Sequence, residues 1–294
     1  MRFSTRLPFA VFLSLTLAPW TTLPPPPLAA QDSAQRPAQD SAQRPQLAAV
    51  ELPAKMLPQA HAHNDYLHEQ PLRDALAQGF GSVEADIFLV DGELQVAHTR
   101  SELAPERTLQ ALYLEPLKQR IAQHQGSVYG DGKRLTLLID IKTDAVATYS
   151  ALNELLAHYR QILTHFEGPE EQAGAVMVIV SGNRAIELIR RTSPRYAGID
   201  GRLSDLDSQL PTAVMPLISD NWQLHFSWRG EGPFPAAEQQ KLQDIVARTH
   251  AQHRRLRFWA TPDSPGMWSV LHDAGVDLIN TDNLTGLSEF LREK

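Results

Sequence analysis

The chain of 294 residues contains no cysteine at all, which removes one class of covalent restraint. No disulfide bond can brace the fold, so its stability has to come from a buried core. Lipid attachment through the thioether of an N-terminal cysteine is excluded for the same reason.

An excess of basic residues is also lacking. The chain carries 27 Lys and Arg residues against 34 Asp and Glu residues, a formal charge of −7. A surface that binds nucleic acid needs concentrated positive charge to neutralise phosphates. The composition therefore excludes nucleic acid as a main partner.

The N-terminus has an apolar run, but one too short to span a bilayer. Two arginines precede this run over residues 7–20, and Ala29 with Ala30 offers small residues at a cleavage point. This pattern predicts a signal peptide over residues 1–30, and an uncleaved anchor is the alternative. We expect an exported protein, periplasmic or secreted, without a stable membrane span. Cleavage would remove the two arginines and no acid, leaving 25 basic and 34 acidic residues and a formal charge of −9.

Residues 31–49 hold a direct repeat, QDSAQRPA followed by QDSAQRPQ. Polar, proline-bearing sequence of low complexity buries too little apolar surface to offset the entropy of ordering, so we predict a disordered linker. Binding to surface polymers is the weaker interpretation. Residues 50–294 show no convincing break rich in Gly, Ser or Pro, and their length suits a single α/β domain.

Short apolar runs rich in β-branched residues alternate with amphipathic segments through this domain. The predicted strands are Met56–His61, Ser82–Leu89, Leu135–Ile141, Ala175–Val180, Tyr196–Asp200, Met215–Ser219, Leu256–Ala260 and Val276–Asn280. The predicted helices are Pro71–Gln78, Leu109–Gln123, Ala145–His165, Arg184–Arg191, Ala236–His250, Pro265–Ala274 and Leu284–Leu291. Eight strands joined by crossover helices favour a (β/α)8 TIM barrel, with some irregularity, over an open sheet. The dipeptide Asp91-Gly92 predicts a hairpin that extends the second strand.

Ionisable side chains gather at the predicted strand ends, where barrels carry their active residues. They are His61, His63, Glu84, Asp86, His98, Asp140 and Lys142. Glu84 and Asp86 are two residues apart, so in a strand they point to the same face. Two carboxylates inside a barrel need a compensating cation, and a hard divalent ion with Asp140 as third ligand satisfies them. Lys142 can neutralise an anionic substrate.

Each of these features also has a simpler explanation. Taken alone, an acidic pair on a strand is more often a solvated outer face, and a lone histidine such as His98 is usually a structural residue. The functional interpretation rests on their joint occurrence, in order, at successive strand ends.

In the order of these motifs the chain resembles the phosphatidylinositol-phospholipase-C-like phosphodiesterase superfamily. The shared order is His61, Glu84-Ala85-Asp86, Asp91-Gly92, His98 and Asp140-Ile141-Lys142. The chain is most similar to the branch named for altered inheritance of mitochondria protein 6, through HAHNDY, RFWATPDSPGMW and GVDLINTDNL. The resemblance implies a barrel with a Mg²⁺ or Ca²⁺ ion and a mechanism that uses two histidines.

Several positions depart from the pattern of glycerophosphodiester phosphodiesterases. Their first motif is His-Arg-Gly followed by a Glu-Asn-Thr stretch, and neither is present here. Thr99 stands where an Asp is usual, and Asp140 where a Glu is typical. The segment between His98 and Asp140 is too short for a large capping insertion. We therefore carry over phosphodiester cleavage but not glycerophosphodiester specificity.

The hypothesis is a metal-dependent phosphoric diester hydrolase acting on a glycerophosphodiester, a phosphoinositide or a related lipid head group. Three carboxylates would hold the ion, and Lys142 would bind the phosphate. His98 and one histidine of the first strand would act on opposite sides of phosphorus. Histidine suits both roles because its unperturbed pKa lies near neutrality. Spacing leaves open which of His61 and His63 is catalytic, the other orienting it or contacting the metal.

Further polar and aromatic residues are candidates for the substrate pocket. They are Asn64, Asp65, Trp259, Asn280 and Asp282, with Asn183 and Arg202 as weaker candidates. An aromatic wall with polar groups suits a polyol head group. The alternatives are a core position for Trp259 and a helix cap for Asp282.

Two other functions stay open, and in every case we expect a monomer. A His-x-His hydrolase, of the amidohydrolase or polymerase-and-histidinol-phosphatase kind, would use both first-strand histidines as ligands of a transition metal. It would need further histidines at later strand ends, which instead carry Asp140, Ser181, Asp200 and Ser219. The histidines that follow are predicted in loops or helices: His225, His250 and His272. A degenerate barrel that only binds its ligand is the second alternative.

Overall fold

The computed structural model describes residues 55–294. The predicted signal peptide, residues 1–30, and the predicted linker, residues 31–49, lie outside these residues and stay predictions. Among the helices of residues 55–294, none is both long and apolar enough to cross a membrane.

Eight parallel strands close into a barrel, which confirms the predicted (β/α)8 fold. The strands of the described residues are β1 Leu57–Ala62, β2 Phe80–Val90, β3 Glu93–Val96, β4 Leu135–Ile141, β5 His165–Glu167, β6 Glu170–Gln172, β7 Val176–Gly182, β8 Ala197–Gly201, β9 Leu217–Asn221, β10 Arg255–Trp259 and β11 Leu278–Thr281. The barrel runs β1-β2-β4-β7-β8-β9-β10-β11 and closes where β11 pairs with β1. Strands β5 and β6 form a separate antiparallel hairpin.

Helices follow most barrel strands and cover the outside of the sheet. They are α1 Arg73–Ala77, α2 Glu115–Gln123, α3 Ala145–Ala157, α4 Ile186–Arg191, α5 Trp222–His225, α6 Ala236–Ala251, α7 Pro265–Ala274 and α8 Leu284–Glu293. The predicted helix Ala145–His165 is too long, because α3 ends at Ala157 and His165 begins β5. The turns between α3 and β5 still bury Tyr159 and Ile162. The spacing of these apolar residues therefore resembles that of a longer helix.

The hairpin predicted from Asp91-Gly92 joins β2 to β3. Asp91 and Gly92 both have positive φ, 49° and 88°, which fits the twist that a two-residue hairpin turn requires. β3 pairs antiparallel with β2 and leads directly to His98. The hairpin therefore carries His98 back to the mouth of the barrel.

The barrel interior changes from apolar to polar toward the C-terminal ends of its strands. One layer consists of four fully buried aliphatic side chains: Leu138, Ile179, Leu217 and Leu278. Side chains two residues further along a strand point to the same face. That next layer holds Asp140, Ser181, Ser219 and Asn280. The apolar layer thus forms the floor of a polar site at the mouth.

An aromatic cluster supports the strands on the far side of this site. Trp222, which begins α5, is fully buried and stacks on Phe226 with ring centroids 4.0 Å apart. It meets Phe258 of β10 edge to face at 5.4 Å, and its indole N–H donates to the Trp228 carbonyl at 2.9 Å. These contacts fix β10 beside β9.

Replacement of Trp222 by alanine should lower the free energy of unfolding by about 3–5 kcal/mol, because it opens a cavity among aromatic rings. Urea unfolding followed by circular dichroism measures the loss. The matched control is Leu224→Ala in the same helix, whose side chain is 74% exposed. It should change stability by less than about 0.5 kcal/mol. Equal losses in both variants would contradict the packing described here.

Candidate active site

Three carboxylates from two neighbouring strands meet at the mouth of the barrel. Glu84 and Asp86 lie on β2 and Asp140 lies on β4, where Asp86 and Asp140 are direct partners in the strand register. One oxygen from each residue lies within 4.8 Å of the others. Within residues 55–294 this is the only group of three or more such side chains with metal-ligand spacing. The predicted metal ligands are therefore brought together.

Lys142 and the carboxylates partly neutralise each other. Its Nζ lies 3.0 Å from Asp86 Oδ2 and 3.2 Å from Asp140 Oδ1. Burial alone would lower the pKa of Lys142, but the charges of Asp140 and Asp86 outweigh it and raise that pKa. Lys142 therefore stays protonated beside the cluster, with its side chain 30% exposed.

Asp86 shows that the cluster suits a further cation. Its Oδ2 accepts from the Tyr66 hydroxyl at 2.6 Å, whereas its Oδ1 is buried and has no hydrogen-bond partner among residues 55–294. Burial and the nearby Glu84 charge raise the pKa of Asp86 to about 6, and burial also raises the pKa of Asp140. An all-oxygen donor set with an unpaired buried oxygen fits a hard divalent ion such as Mg²⁺ or Ca²⁺.

Glu84 is anchored by a buried arginine. Its Oε2 accepts from Arg257 Nη2 at 2.8 Å and from His61 Nε2 at 3.2 Å. Arg257, only 3% exposed, also donates through Nε to Asn280 Oδ1 at 2.7 Å. Burial would raise the pKa of Glu84, but Arg257 and His61 hold it well below its usual range. One oxygen of Glu84 is thus committed to the protein and the other is left for a ligand.

His61 is enclosed by the protein on both sides of its ring. It has no exposed surface, and its Nδ1 lies 2.7 Å from the Ser82 hydroxyl while Nε2 faces Glu84. Burial, followed by the charge of Arg257, lowers the pKa of His61 to about 4. The ring is therefore neutral near pH 7 and donates to Glu84 while it accepts from Ser82.

His63 lies just beyond β1 and reaches the open mouth. Its Nδ1 donates to Asp282 Oδ1 at 2.9 Å, and its side chain is 32% exposed. Burial would lower the pKa of His63, but the hydrogen bond to Asp282 and the charges of Glu84 and Asp282 raise it. The ring is held by one nitrogen, so Nε2 is left to face a substrate.

His98 also lies at the mouth, close to Asp86. Its Nδ1 lies 3.0 Å from the Tyr66 hydroxyl and 3.7 Å from Asp86 Oδ2, and its side chain is half exposed. The Asn64 side chain lies between the two histidines, 3.0 Å from His63 Nδ1 and 2.7 Å from the Tyr66 hydroxyl. Tyr66, itself 1% exposed, therefore links His98, Asn64 and the carboxylate cluster.

One predicted substrate residue, Asp65, has a different position from the one expected. Asp65 does not face the mouth: it has no exposed surface, and its Oδ2 accepts from the Leu72 amide and the Tyr113 hydroxyl at 2.6 and 2.9 Å. The chain turns into a short 3-10 helix at residue 65, which directs this side chain inward. Burial raises the pKa of Asp65 to about 7.

The remaining pocket candidates lie closer to the site. Asn280 orients Arg257 and Asp282 orients His63, so both contact site residues within the protein. The helix cap considered for Asp282 is supplied by Asn283, whose Oδ1 accepts from Gly286 at 3.0 Å. Trp259 is partly buried at the end of β10, two residues beyond Arg257, so its side chain shares the inner face and lies nearer the mouth.

Two residues of the site were not predicted from the sequence. Arg257 lies in a strand of alternating arginines, Arg-Leu-Arg, where a charged side chain ordinarily indicates an outer face. Tyr66 belongs to the HAHNDY motif itself, but its role depends on its contact with Asp86, twenty residues away. The sequence feature that could have identified Arg257 as a site residue is its position two residues before Trp259, on the same face of the strand.

Sequence comparisons identify a family and several relatives of this chain. Residues 52–199 match the family described as AIM6-like phosphodiesterase domain, and residues 255–285 match the glycerophosphoryl diester phosphodiesterase family. Altered inheritance of mitochondria protein 6 of Eremothecium gossypii is 30% identical over 276 residues, covering 80% of this chain and 70% of that protein. Its homolog from Arthroderma benhamiae is 28% identical, covering 76% and 81% respectively.

A solved structure supports the fold. The glycerophosphodiester phosphodiesterase from Agrobacterium tumefaciens superposes with a TM-score of 0.51, covering 81% of this chain and all of that one. The sequence identity is 16%, so the likeness concerns the barrel and its topology.

Asp282→Asn should lower the pKa of His63, because the variant loses a charged acceptor that favours the imidazolium form. NMR titration of the His63 ring signals, assigned with a His63→Gln variant, measures the change. The matched control is Asp273→Asn, which removes the carboxylate that contacts His272, a histidine at the surface. An unchanged His63 titration in Asp282→Asn would contradict the coupling.

Arg257→Met should lower the free energy of unfolding by about 3–5 kcal/mol, because it leaves the Glu84 carboxylate buried without its cation. Urea unfolding at neutral pH measures the loss. Arg191→Met is the control, since that side chain is 79% exposed. A loss below about 1 kcal/mol for Arg257→Met, the range of an exposed ion pair, would contradict the anchoring of Glu84.

Proposed function

The chain belongs to the family of AIM6-like phosphodiesterase domains, and from this membership and its site we propose that it is a metal-dependent phosphoric diester hydrolase. The observation that carries the proposal is that His63 and His98 both lie at the mouth beside the carboxylate cluster. Each ring is held through Nδ1, by Asp282 and by Tyr66, so each has Nε2 left for proton transfer.

Glu84, Asp86 and Asp140 would hold the divalent ion. When bound, such an ion polarises the phosphate and stabilises the negative charge that develops during cleavage. The protein prepares the site in its absence: Arg257 and His61 fix Glu84, Tyr66 fixes Asp86, and Lys142 spans Asp86 and Asp140.

His63 and His98 supply the acid and the base of the reaction. In-line displacement at phosphorus needs a base for the attacking hydroxyl and an acid for the leaving oxygen, on opposite sides. The raised pKa of His63 favours its protonated form, so we assign it the role of general acid. His98 then takes the proton of the attacking hydroxyl.

His61 acts as a positioning residue in this proposal. Its ring is fully buried and both of its nitrogens already have partners, so it cannot reach a substrate. This arrangement also weighs against the His-x-His hydrolase, which needs both histidines on one transition metal. Within residues 55–294 neither histidine joins a group of three or more metal-ligating side chains.

The substrate we propose is a small phosphodiester, such as a glycerophosphodiester, a phosphoinositide or a related lipid head group. Lys142 would contact its phosphate, and Trp259 would contact its polyol or head group. We also propose that the protein is exported, on the strength of residues 1–30, and that it acts as a monomer.

The test is hydrolysis of bis-p-nitrophenyl phosphate and of glycerophosphoinositol, measured with and without EDTA. We expect turnover that EDTA abolishes and Mg²⁺ or Ca²⁺ restores. His63→Gln and His98→Gln should each lose about 10²–10⁴-fold in kcat, the range of general acid–base catalysis. Asp86→Asn should lose activity as well, together with its metal affinity.

The matched control is His272→Gln, which alters a histidine whose partner is the surface residue Asp273. It should keep wild-type turnover. Turnover that survives EDTA, or full activity in His63→Gln, would contradict the mechanism. Absence of hydrolysis of both substrates would favour a barrel that only binds its ligand.

A further inference from the structure

Two arginines stand side by side at the mouth, at the ends of β7 and β8. Arg184 donates through Nη1 to the main-chain oxygen of Asp200, and Arg202 Nη1 lies 3.4 Å from the same oxygen. The two guanidinium groups are therefore immediate neighbours. Burial and the charge of Arg202 lower the pKa of Arg184, as expected where like charges approach.

A buried carboxylate holds Arg202 in place. Asp200 has no exposed surface, and its Oδ2 accepts from Arg202 Nη1 at 2.9 Å. The hydroxyls of Ser181 and Ser219 donate to the same oxygen at 2.8 and 2.5 Å. Because three strand ends contribute to this arrangement, the guanidinium group is positioned before any ligand arrives, which lowers the entropic cost of binding.

Two further acids near the pair are hydrogen-bonded to main-chain amides, and the charge of Asp140 in the carboxylate cluster also acts on Arg184. Asp205 Oδ2 accepts from the Arg202 amide at 2.8 Å, and Asp220 Oδ2 accepts from the Leu203 amide at 3.1 Å. Within residues 55–294, the contact with the Asp200 carbonyl is the only hydrogen bond that the Arg184 side chain makes. The other N–H groups of the Arg184 guanidinium can therefore donate to an anion. Guanidinium groups bind anions in this way through two parallel hydrogen bonds.

The arginine pair lies next to the carboxylate cluster. Ser181 of β7 is the register partner of Asp140, and Asn183 donates to the Ile141 and Thr143 carbonyls at 2.9 Å each. The segment that carries Arg184 thus packs against the end of β4. Around the barrel, the cluster on β2 and β4 lies between His63 after β1 and the arginines after β7 and β8.

We propose that Arg184 and Arg202 bind a second anionic group, a phosphomonoester, on the head group of the same substrate. This inference rests on the proposed function, because the cleaved diester would occupy the neighbouring carboxylate cluster. It predicts a preference for diesters whose head group carries an additional negative charge.

The first test compares two substrates that differ by one phosphomonoester, glycerophosphoinositol and glycerophosphoinositol 4-phosphate. Wild-type protein should have a kcat/KM at least about tenfold higher for the phosphorylated substrate, as one guanidinium–phosphate contact allows. Arg184→Gln should bring the ratio of the two kcat/KM values close to one. Arg191→Gln, an exposed arginine on α4, should leave the ratio unchanged. A wild-type ratio near one would overturn the inference.

The second test does not depend on hydrolysis. Inorganic phosphate is titrated into the EDTA-treated protein while NMR follows the Nε–Hε signals of its arginines. The signals of Arg184 and Arg202 should shift and saturate, and Arg184→Gln should abolish the shift at Arg202. Absence of a saturable shift would overturn the inference even in an active protein. A saturable shift in a protein that cleaves neither diester would support an anion site and contradict the proposed function.

Discussion

The buried ion pair between Arg257 and Glu84 is the constraint on which the site depends. A carboxylate inside a barrel is tolerated only with a cation and with hydrogen bonds to its oxygens. Arg257 supplies the cation at 2.8 Å, and Asn280 fixes the arginine in turn. With Glu84 neutralised by Arg257, Asp86 and Asp140 can approach it closely enough for the three carboxylates to have metal-ligand spacing.

The residues of the HAHNDY motif lie partly inside the barrel and partly at its mouth. His61 points into the strand layer, where it is neutral and holds Glu84, while His63 lies beyond the strand and faces the mouth. Asn64 and Tyr66 connect His63 to His98 and to Asp86. Asp65 completes the motif as a buried anchor for the Leu72 amide. One short segment thus positions a proposed metal ligand, both proposed proton-transfer groups and its own loop.

The sequence predicted the barrel well because strand and helix signals are local. The strand at Leu135–Ile141 and the helix at Pro265–Ala274 have the predicted bounds, since each is delimited by its own flanking residues. The carboxylate cluster was also predictable, from a two-residue spacing on neighbouring strands. Arg257 was not, because its partner Glu84 lies 173 residues away along the chain. The spacing of the motif likewise could not show which of His61 and His63 is catalytic, because their positions depend on where β1 ends.

The central claim is that the three carboxylates, and not the two histidines of the first strand, hold the metal ion. Anomalous diffraction from crystals grown with Mn²⁺ tests it most directly. We predict one strong peak contacted by Glu84, Asp86 and Asp140, and no such peak in crystals of Asp86→Asn. A peak contacted by both His61 and His63, or Mn²⁺ bound elsewhere with none at the cluster, would contradict the account.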